Sequence, residues 1–369
     1  MKLKVWMICG AWALFALFNF LAPKRVFSEA ENRYLEQKPK LDKKAVLSGA
    51  YTEGYEKWMT DQLILRDGFV SLKASVDRTL GRGDIGGVYL GRDGYLLEMF
   101  TKTDREKLNR NTEKAAGFLE RMEAEGRTVH FLMVPTGACV MEDKLPRYAP
   151  ELDQRAMLEE LGEKLPGFVN AEPALRRAWE ELPECEENQL YYRTDHHWTS
   201  LGAYYAYQAL CQAEGREAPE LSEYEREVLS TGFYGSSYAR AGLYGLKPDT
   251  MYAMYRKSPG AVQVDYGTGE PENSLYDRSF LAKRDKYRVF LKGNYPLTRI
   301  AASAENGKKL LLIKDSFANT FVQFLTEDYE EILVVDPRYY RQDLKTLARE
   351  ESVTDVLYLY EIKKFAEEG

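Results

Sequence analysis

The sequence predicts an α/β protein built on a doubly wound parallel sheet, and three observations carry that expectation. A helical stretch from Asp104 to Gly126 feeds the apolar run Val129 to Val134, which Pro135 stops. Further on, the apolar runs Leu310 to Ile313, Ile332 to Val335 and Val356 to Leu359 alternate with helical stretches around Ala318 to Leu325 and Asp343 to Arg349. Finally, 369 residues with 44% apolar and 30% charged side chains are enough to bury a real core, with no disordered or repetitive bias.

The first element is an N-terminal apolar segment. Met1-Lys2-Leu3-Lys4 gives a short basic flank, and Val5 to Ala22 is an uncharged run whose one strongly polar member is Asn19. As a helix of about 27 Å it falls just short of a ~30 Å hydrocarbon core, a gap that snorkelling flanks close. The competing reading is a signal peptide cleaved near Phe27-Ser28-Glu29-Ala30, a poor small-x-small match, so residues 1–22 are expected to be a retained anchor. Lys24 and Arg25 beyond the span weaken any charge argument for orientation. Both readings export the rest, which places the chain at the cell membrane, single-pass, with its body extracytoplasmic.

Residues 23–80 are charged and helix-prone and read as a helical stalk, with Tyr55, Trp58, Met59, Leu63 and Leu65 at loose helical spacing. Gly87 to Leu97 holds two short apolar runs around Asp93-Gly94, a hairpin signal. The α/β body is expected over 81–369. Between about 220 and 306 its rhythm gives way to a Tyr/Gly-rich insertion, for example Gly232-Phe233-Tyr234-Gly235-Ser236-Ser237-Tyr238, expected to form loops and short strands over the sheet edge.

Charge and cysteine content exclude some functions. Net charge is -7 and no long basic stripe stands ready to neutralise a phosphate backbone, so nucleic acid is not expected as a partner. Cys9, Cys139, Cys185 and Cys211 show no CxxC or regular Cys/His spacing, so no zinc site is expected. The three body cysteines allow one disulfide and a free thiol, or none.

Imidazole chemistry must use His130, His196 or His197, the three histidines of the chain. His130 sits inside the Val129 to Val134 strand and reads as a packed core residue. The other two stand in Tyr192-Arg193-Thr194-Asp195-His196-His197-Trp198-Thr199. In an extended segment alternate side chains share a face, which puts Asp195 with His197 and His196 on the opposite side. A carboxylate on one ring nitrogen fixes the tautomer and frees the other to take a proton from a hydroxyl. Thr199 or Ser200 would cap the helix Leu201 to Ala213 that follows. Two other readings stand beside the dyad: a metal site formed by Asp195, His196 and His197, which diverging neighbours would disfavour, and a polar turn without chemistry. The nucleophile candidate is Ser316, in Lys314-Asp315-Ser316-Phe317-Ala318-Asn319 at the carboxyl end of a strand, where doubly wound sheets place their chemistry and where free helix N-H groups can stabilise an oxyanion. Its plain alternative is a helix N-cap.

Together these residues resemble the DHHW proteins, named for the tetrapeptide seen here as Asp195-His196-His197-Trp198, and through them the SGNH-hydrolase-like alginate O-acetyltransferases of the bacterial envelope. The resemblance takes in Ser28-Glu29-Ala30-Glu31-Asn32-Arg33, the Gly87 to Leu97 hairpin, Thr194 to Thr199, Gly293-Asn294, Lys314 to Ala318 and Val335-Asp336-Pro337-Arg338-Tyr339. It implies a three-layer α/β/α fold. The relatives' Asp-x-His-Trp motif maps the acid onto Asp195 and the base onto His197, and their Gly-Asp-Ser motif maps the nucleophile onto Ser316, with Lys314 in place of Gly. Gly293 and Asn294 become oxyanion candidates. Pro135, Thr136, Tyr234 and Arg338 become substrate-lining candidates.

The resemblance implies acyl transfer through an acyl-serine, with no cofactor and no metal. The acyl group would be acetyl, the acceptor a cell-surface or exported polysaccharide, and a membrane-bound O-acyltransferase would be the partner supplying acetyl. A carbohydrate esterase with the same triad is the alternative within catalysis. A non-catalytic polysaccharide-binding or assembly protein is the alternative outside it, with Tyr234, Tyr238 and Tyr244 offering faces to sugars unless they serve as packing.

Overall fold

The apolar runs become a seven-stranded sheet in the computed structural model, which describes residues 2–28, 33–243 and 245–368. In chain order its strands are β1 (Thr128–Val134), β2 (Phe168–Asn170), β3 (Val262–Asp265), β4 (Leu297–Ala302), β5 (Lys309–Lys314), β6 (Glu331–Val335) and β7 (Asp355–Glu361). They lie in the order β3-β4-β6-β5-β7-β1-β2. The five strands from β6 to β2 run parallel, with Leu310 opposite Asp355 and Tyr358 opposite Phe131.

Side-chain alternation divides this sheet's residues between two cores. Leu310, Leu312, Val334, Leu357 and Leu359 pack on one face with Leu175 of the helix Glu172–Glu181, Tyr207 of the helix Ser200–Ala213 and Phe321. Leu311, Ile313, Leu333, Val356 and Phe131 pack on the other with Leu119 of the helix Arg105–Ala124, Leu158 of Gln154–Gly162, Leu347 of Leu344–Glu350 and Phe365 of Ile362–Glu368. Strands buried on both faces need continuous apolar runs, which is why they stand out in the sequence. Each such leucine contributes about 1.5–3 kcal/mol by leaving water. Asp104, Asp153 and Asp343 start three of the helices by accepting the backbone N-H of Lys107, Ala156 and Thr346.

The sheet departs from the expected parallel one at its far edge. Strands β3 and β4 are antiparallel to their neighbours, and both come from residues 220–306. That segment therefore extends the sheet as well as covering its edge, and it adds an antiparallel ribbon of Tyr224–Phe233 with Asp249–Arg256. Its strands are short, and β3 alternates between inward and exposed positions, as an edge strand with one solvated side should. The hairpin pairs Val88–Leu90 with Leu96–Glu98 through a turn in which Asp93 and Gly94 take positive φ. These elements belong to a unit formed by residues 87–237 and 247–369.

Residues 1–86 with 238–246 form a second unit. Its helix Lys2–Leu21 is long and apolar enough to cross a membrane, with mean hydropathy 1.6 over Lys4–Leu21 and 6% of that stretch buried. Asn19 is satisfied rather than stranded: its Oδ1 accepts the Ile64 N-H at 2.9 Å. The stalk region holds the helices Lys43–Leu47, Ala50–Asp61 and Arg66–Thr79, tied back by an Arg25–Asp67 ion pair at 2.8 Å. Glu29 to Asn32 of the Ser28–Arg33 motif, and Tyr244, lie outside the described residues. All four cysteines are free thiols, Cys139 and Cys211 buried and Cys9 and Cys185 exposed.

Candidate active site

The site begins with a closed loop. A backbone bridge joins Tyr191 to Trp198, Tyr192 N-H donates to the His197 carbonyl at 3.2 Å, and Thr199 N-H donates to Leu190 at 2.9 Å. Thr199 then caps the helix Ser200–Ala213, its side chain accepting from Gly202 N-H. Trp198 is completely buried, and its indole N-H reaches the Phe317 carbonyl at 3.0 Å and Thr320 Oγ1 at 2.8 Å. This ring thereby clamps the histidine loop to the turn after β5. A buried indole needs such a partner, and here the partner is the serine turn itself.

Across this clamp, His197 Nε2 lies 2.7 Å from Ser316 Oγ, and His197 Nδ1 lies 2.5 Å from Asp195 Oδ1. Asp195 Oδ1 also accepts the His197 N-H at 3.0 Å, and Oδ2 accepts the Ser236 N-H at 2.6 Å. Burial pushes the Asp195 carboxyl up, but the imidazoles of His197 and His196 and the Ser236 N-H outweigh it and hold the group well below the usual carboxylate range. Tyr287 stacks on the His197 ring at 3.8 Å and 8°, fixing its plane. Gly235 packs so tightly that a Cβ there would stand 2.2 Å from Asp195.

Ser316 does not cap the helix that follows. Phe317 occupies that position, the helix Ala318–Phe321 is a single turn, and Ser316 Oγ is engaged by His197. The turn is held by Asp315, which accepts Phe317 N-H at 2.9 Å and Glu361 N-H at 2.8 Å. Among the described residues the Ser316 N-H makes no hydrogen bond, so it is free to donate to an oxyanion.

His196 departs from the expected geometry. The segment bends at residues 193–197 instead of running extended, so His196 does not face away: its ring lies 3.8 Å from that of His197, with Nδ1 2.6 Å from Ser236 Oγ. Burial, with the charge of His197, lowers its pKa to about 3 and keeps it neutral. The divergence expected to disfavour a metal therefore fails, and one donor atom each of Asp195, His196 and His197 falls within 4.8 Å of the others. Both ring nitrogens of His197 are nevertheless already taken, by Asp195 and Ser316.

The other candidates divide. Gly293 N-H is spent on the Phe290 carbonyl, whereas Asn294 keeps its side-chain N-H group uncommitted while its Oδ1 accepts from Lys314 Nζ at 2.6 Å. Lys314 is fully buried and also binds Asn319 Oδ1 at 2.7 Å. The Pro135 carbonyl accepts from Tyr191 Oη, and Thr136 is bonded to Gln154 and caps Cys139, so both are committed to the scaffold. Arg338 forks onto the buried Asp336. Tyr234 is half-buried and immediately precedes the Gly235 that abuts Asp195. His130 is half-buried on β1, 3.9 Å from Glu214. Sequence reasoning misses Ser236 and Tyr287, which touch the dyad from 41 and 90 residues away along the chain and carry no local motif.

Comparison with known proteins comes to the same region. A "DHHW protein" family model matches residues 171–335, and an "SGNH hydrolase-like domain, acetyltransferase AlgX" model matches 88–251. A crystal structure of a DHHW family protein from Eubacterium siraeum is 25% identical, covering 77% of this chain and 93% of its own, with a TM-score of 0.62. Bacillus cereus PatB1 shares the fold at 19% identity and a TM-score of 0.61, covering 74% of this chain and 95% of its own. No curated protein matches the chain. The chain is thus similar to the DHHW proteins and to the SGNH hydrolase-like domain of the AlgX model.

Proposed function

We propose that this chain is a membrane-anchored, extracytoplasmic acyl-transfer enzyme that O-acetylates a cell-surface or exported polysaccharide through an acetyl-serine intermediate. The observation that carries the reading is the unbroken line Asp195–His197–Ser316, with contacts of 2.5 and 2.7 Å. His197 Nε2 takes the Ser316 proton as Oγ attacks the acyl carbonyl, and Asp195 stabilises the imidazolium. The oxyanion has the Ser316 N-H and the Asn294 side-chain amide as candidate donors. Collapse expels the donor's leaving group, which takes the proton from His197. An acceptor hydroxyl then gives its proton to His197 and attacks the acyl-serine, and collapse breaks the bond to Ser316 Oγ, which takes the proton back from His197 as the acyl group leaves on the acceptor. The acetyltransferase description of the matched family model supports acetyl as the acyl group.

The exposed apolar helix Lys2–Leu21 is long enough to serve as the anchor; in this reading it is retained, 23–80 is a stalk, and a membrane-bound O-acyltransferase is the acetyl-supplying partner. The test is to incubate the protein with p-nitrophenyl acetate and look for an acetyl group on Ser316 by mass spectrometry, then add candidate glycans. Acetyl on Ser316 that moves to a glycan hydroxyl supports the transferase. Release as acetate alone, with every glycan ignored, makes the protein a carbohydrate esterase. An unmodified Ser316 with several activated donors defeats acyl transfer.

A further inference from the structure

We propose that a cavity bordered by the segment after the short helix Ala318–Phe321 binds a neutral sugar residue of the acceptor chain. This rests on the polysaccharide reading above and extends it to a site that none of the motifs marks. The cavity measures about 550 Å³, within the roughly 300–1,000 Å³ of small-ligand sites, and opens between the end of the ribbon, the approach to β3 and the segment after the short helix Ala318–Phe321.

Three tyrosines, Tyr224, Tyr255 and Tyr276, stand in its wall, with Tyr255 and Tyr276 5.1 Å apart between ring centroids. Such rings offer flat faces with polar rims, the surface that the C-H face of a pyranose covers. The lining's cation is already neutralised: Arg256 lies 2.9 Å from Glu223 and 3.0 Å from Glu327. An anionic sugar would therefore meet a site with negative charge in excess and no cation to receive it. Neutral groups remain at the mouth, where Asn273 is exposed with its amide uncommitted. Aromatic faces and a neutral amide around a paired ion suit a polyhydroxyl ligand better than either an acid or a hydrocarbon.

The cavity is tied to the triad by construction. Tyr276 Oη bonds Gln323, whose Nε2 donates to the Thr320 carbonyl at 2.6 Å, and Thr320 Oγ1 receives the Trp198 indole. Rings connect the same two places, Tyr276 to Phe290 at 5.8 Å, Phe290 to Tyr287 at 5.3 Å, and Tyr287 onto His197. One wall, at Gln323, Thr326 and Glu327, thus belongs to the segment just after the helical turn that follows Ser316. A glycan chain seated here is held by residues bonded and stacked onto those that position Ser316 and His197.

The experiment uses the full chain in lipid nanodiscs, which avoids sugar-headed detergents, titrated with cellopentaose, chitopentaose and maltopentaose and, separately, with pentagalacturonate. Binding is read by calorimetry, and each sample is labelled at Ser316 with an aryl sulfonyl fluoride. The proposal expects at least one neutral oligosaccharide to bind, pentagalacturonate to bind at least tenfold more weakly, and Tyr255→Ala and Asn273→Ala each to weaken binding at least tenfold. Both variants should label at the parent rate, which separates lost binding from lost folding. Labelling of Ser316 without any neutral-sugar binding, binding unchanged in both variants, or tighter binding of pentagalacturonate overturns the subsite and leaves acyl transfer standing. Sugar binding without labelling does the reverse.

Discussion

Asp195 and Glu361 are both buried carboxylates next to the serine turn, and the molecule holds them in opposite charge states. Asp195 faces His197, His196 and the Ser236 N-H, and these keep it ionised despite burial. Glu361 accepts the N-H groups of Lys363 and Lys364, but burial and the nearby charge of Glu98 push its pKa up to about 8. Asp315, between them, is pushed up to about 6 by burial. Depth alone does not decide the charge of an acid. What faces it does, and of these three acids the one held firmly as an anion is the one behind an imidazole that reaches a hydroxyl.

The comparison breaks hardest at the reacting pair. Ser316→Ala and His197→Ala should each cut acyl turnover by at least about 10⁴-fold while leaving the fold intact, read by single-turnover acetyl release and far-UV circular dichroism. Asp195→Asn keeps the shape but removes the charge that orients His197, and about 10³–10⁴-fold should be lost in kcat. Should Asp195→Asn retain near-parent turnover, the contrast with Glu361 would carry no mechanistic meaning. Gly235→Ala tests the same carboxylate from behind: its methyl group must displace Asp195, with an expected loss of about 10²-fold in kcat and little change in KM.

On the other side of the comparison the effects are on stability. Lys314 binds Asn294 and Asn319 from a buried position, so Lys314→Met should cost about 2–3 kcal/mol in denaturant unfolding of the larger unit. For Glu361 the folded protein keeps a proton that the unfolded chain releases between pH 4.5 and about 8, so stability from this group falls as pH rises through that window. Relative to the parent, Glu361→Gln should gain about 3–4 kcal/mol between pH 5 and pH 8. A flat difference over that range would place the Glu361 pKa near its ordinary value.

Much of the fold is legible in the amino-acid pattern itself. The strands β1, β5, β6 and β7 lie where their apolar runs predict, because a strand buried on both faces must be apolar at every position. The structure brings together Asp195, His197 and Ser316, and a hairpin forms around Asp93-Gly94. What the pattern does not carry is non-local. The edge strands β3 and β4 are antiparallel and half-solvated, and β2 is three residues long, so none leaves a strong signal. Alternation puts His196 on the wrong side because it holds for extended chain, and residues 193–197 bend around the Asp195 carboxylate. Ser236 and Tyr287 enter the site through tertiary packing that no spacing encodes.

The central claim is that His197 activates Ser316, and the rate of Ser316 sulfonylation tests it most directly. The account predicts one sulfonyl group per chain, located on Ser316 by peptide mass spectrometry, with the rate falling by about two orders of magnitude or more in His197→Ala. Label at another residue, or label at Ser316 at an unchanged rate in His197→Ala, would contradict it.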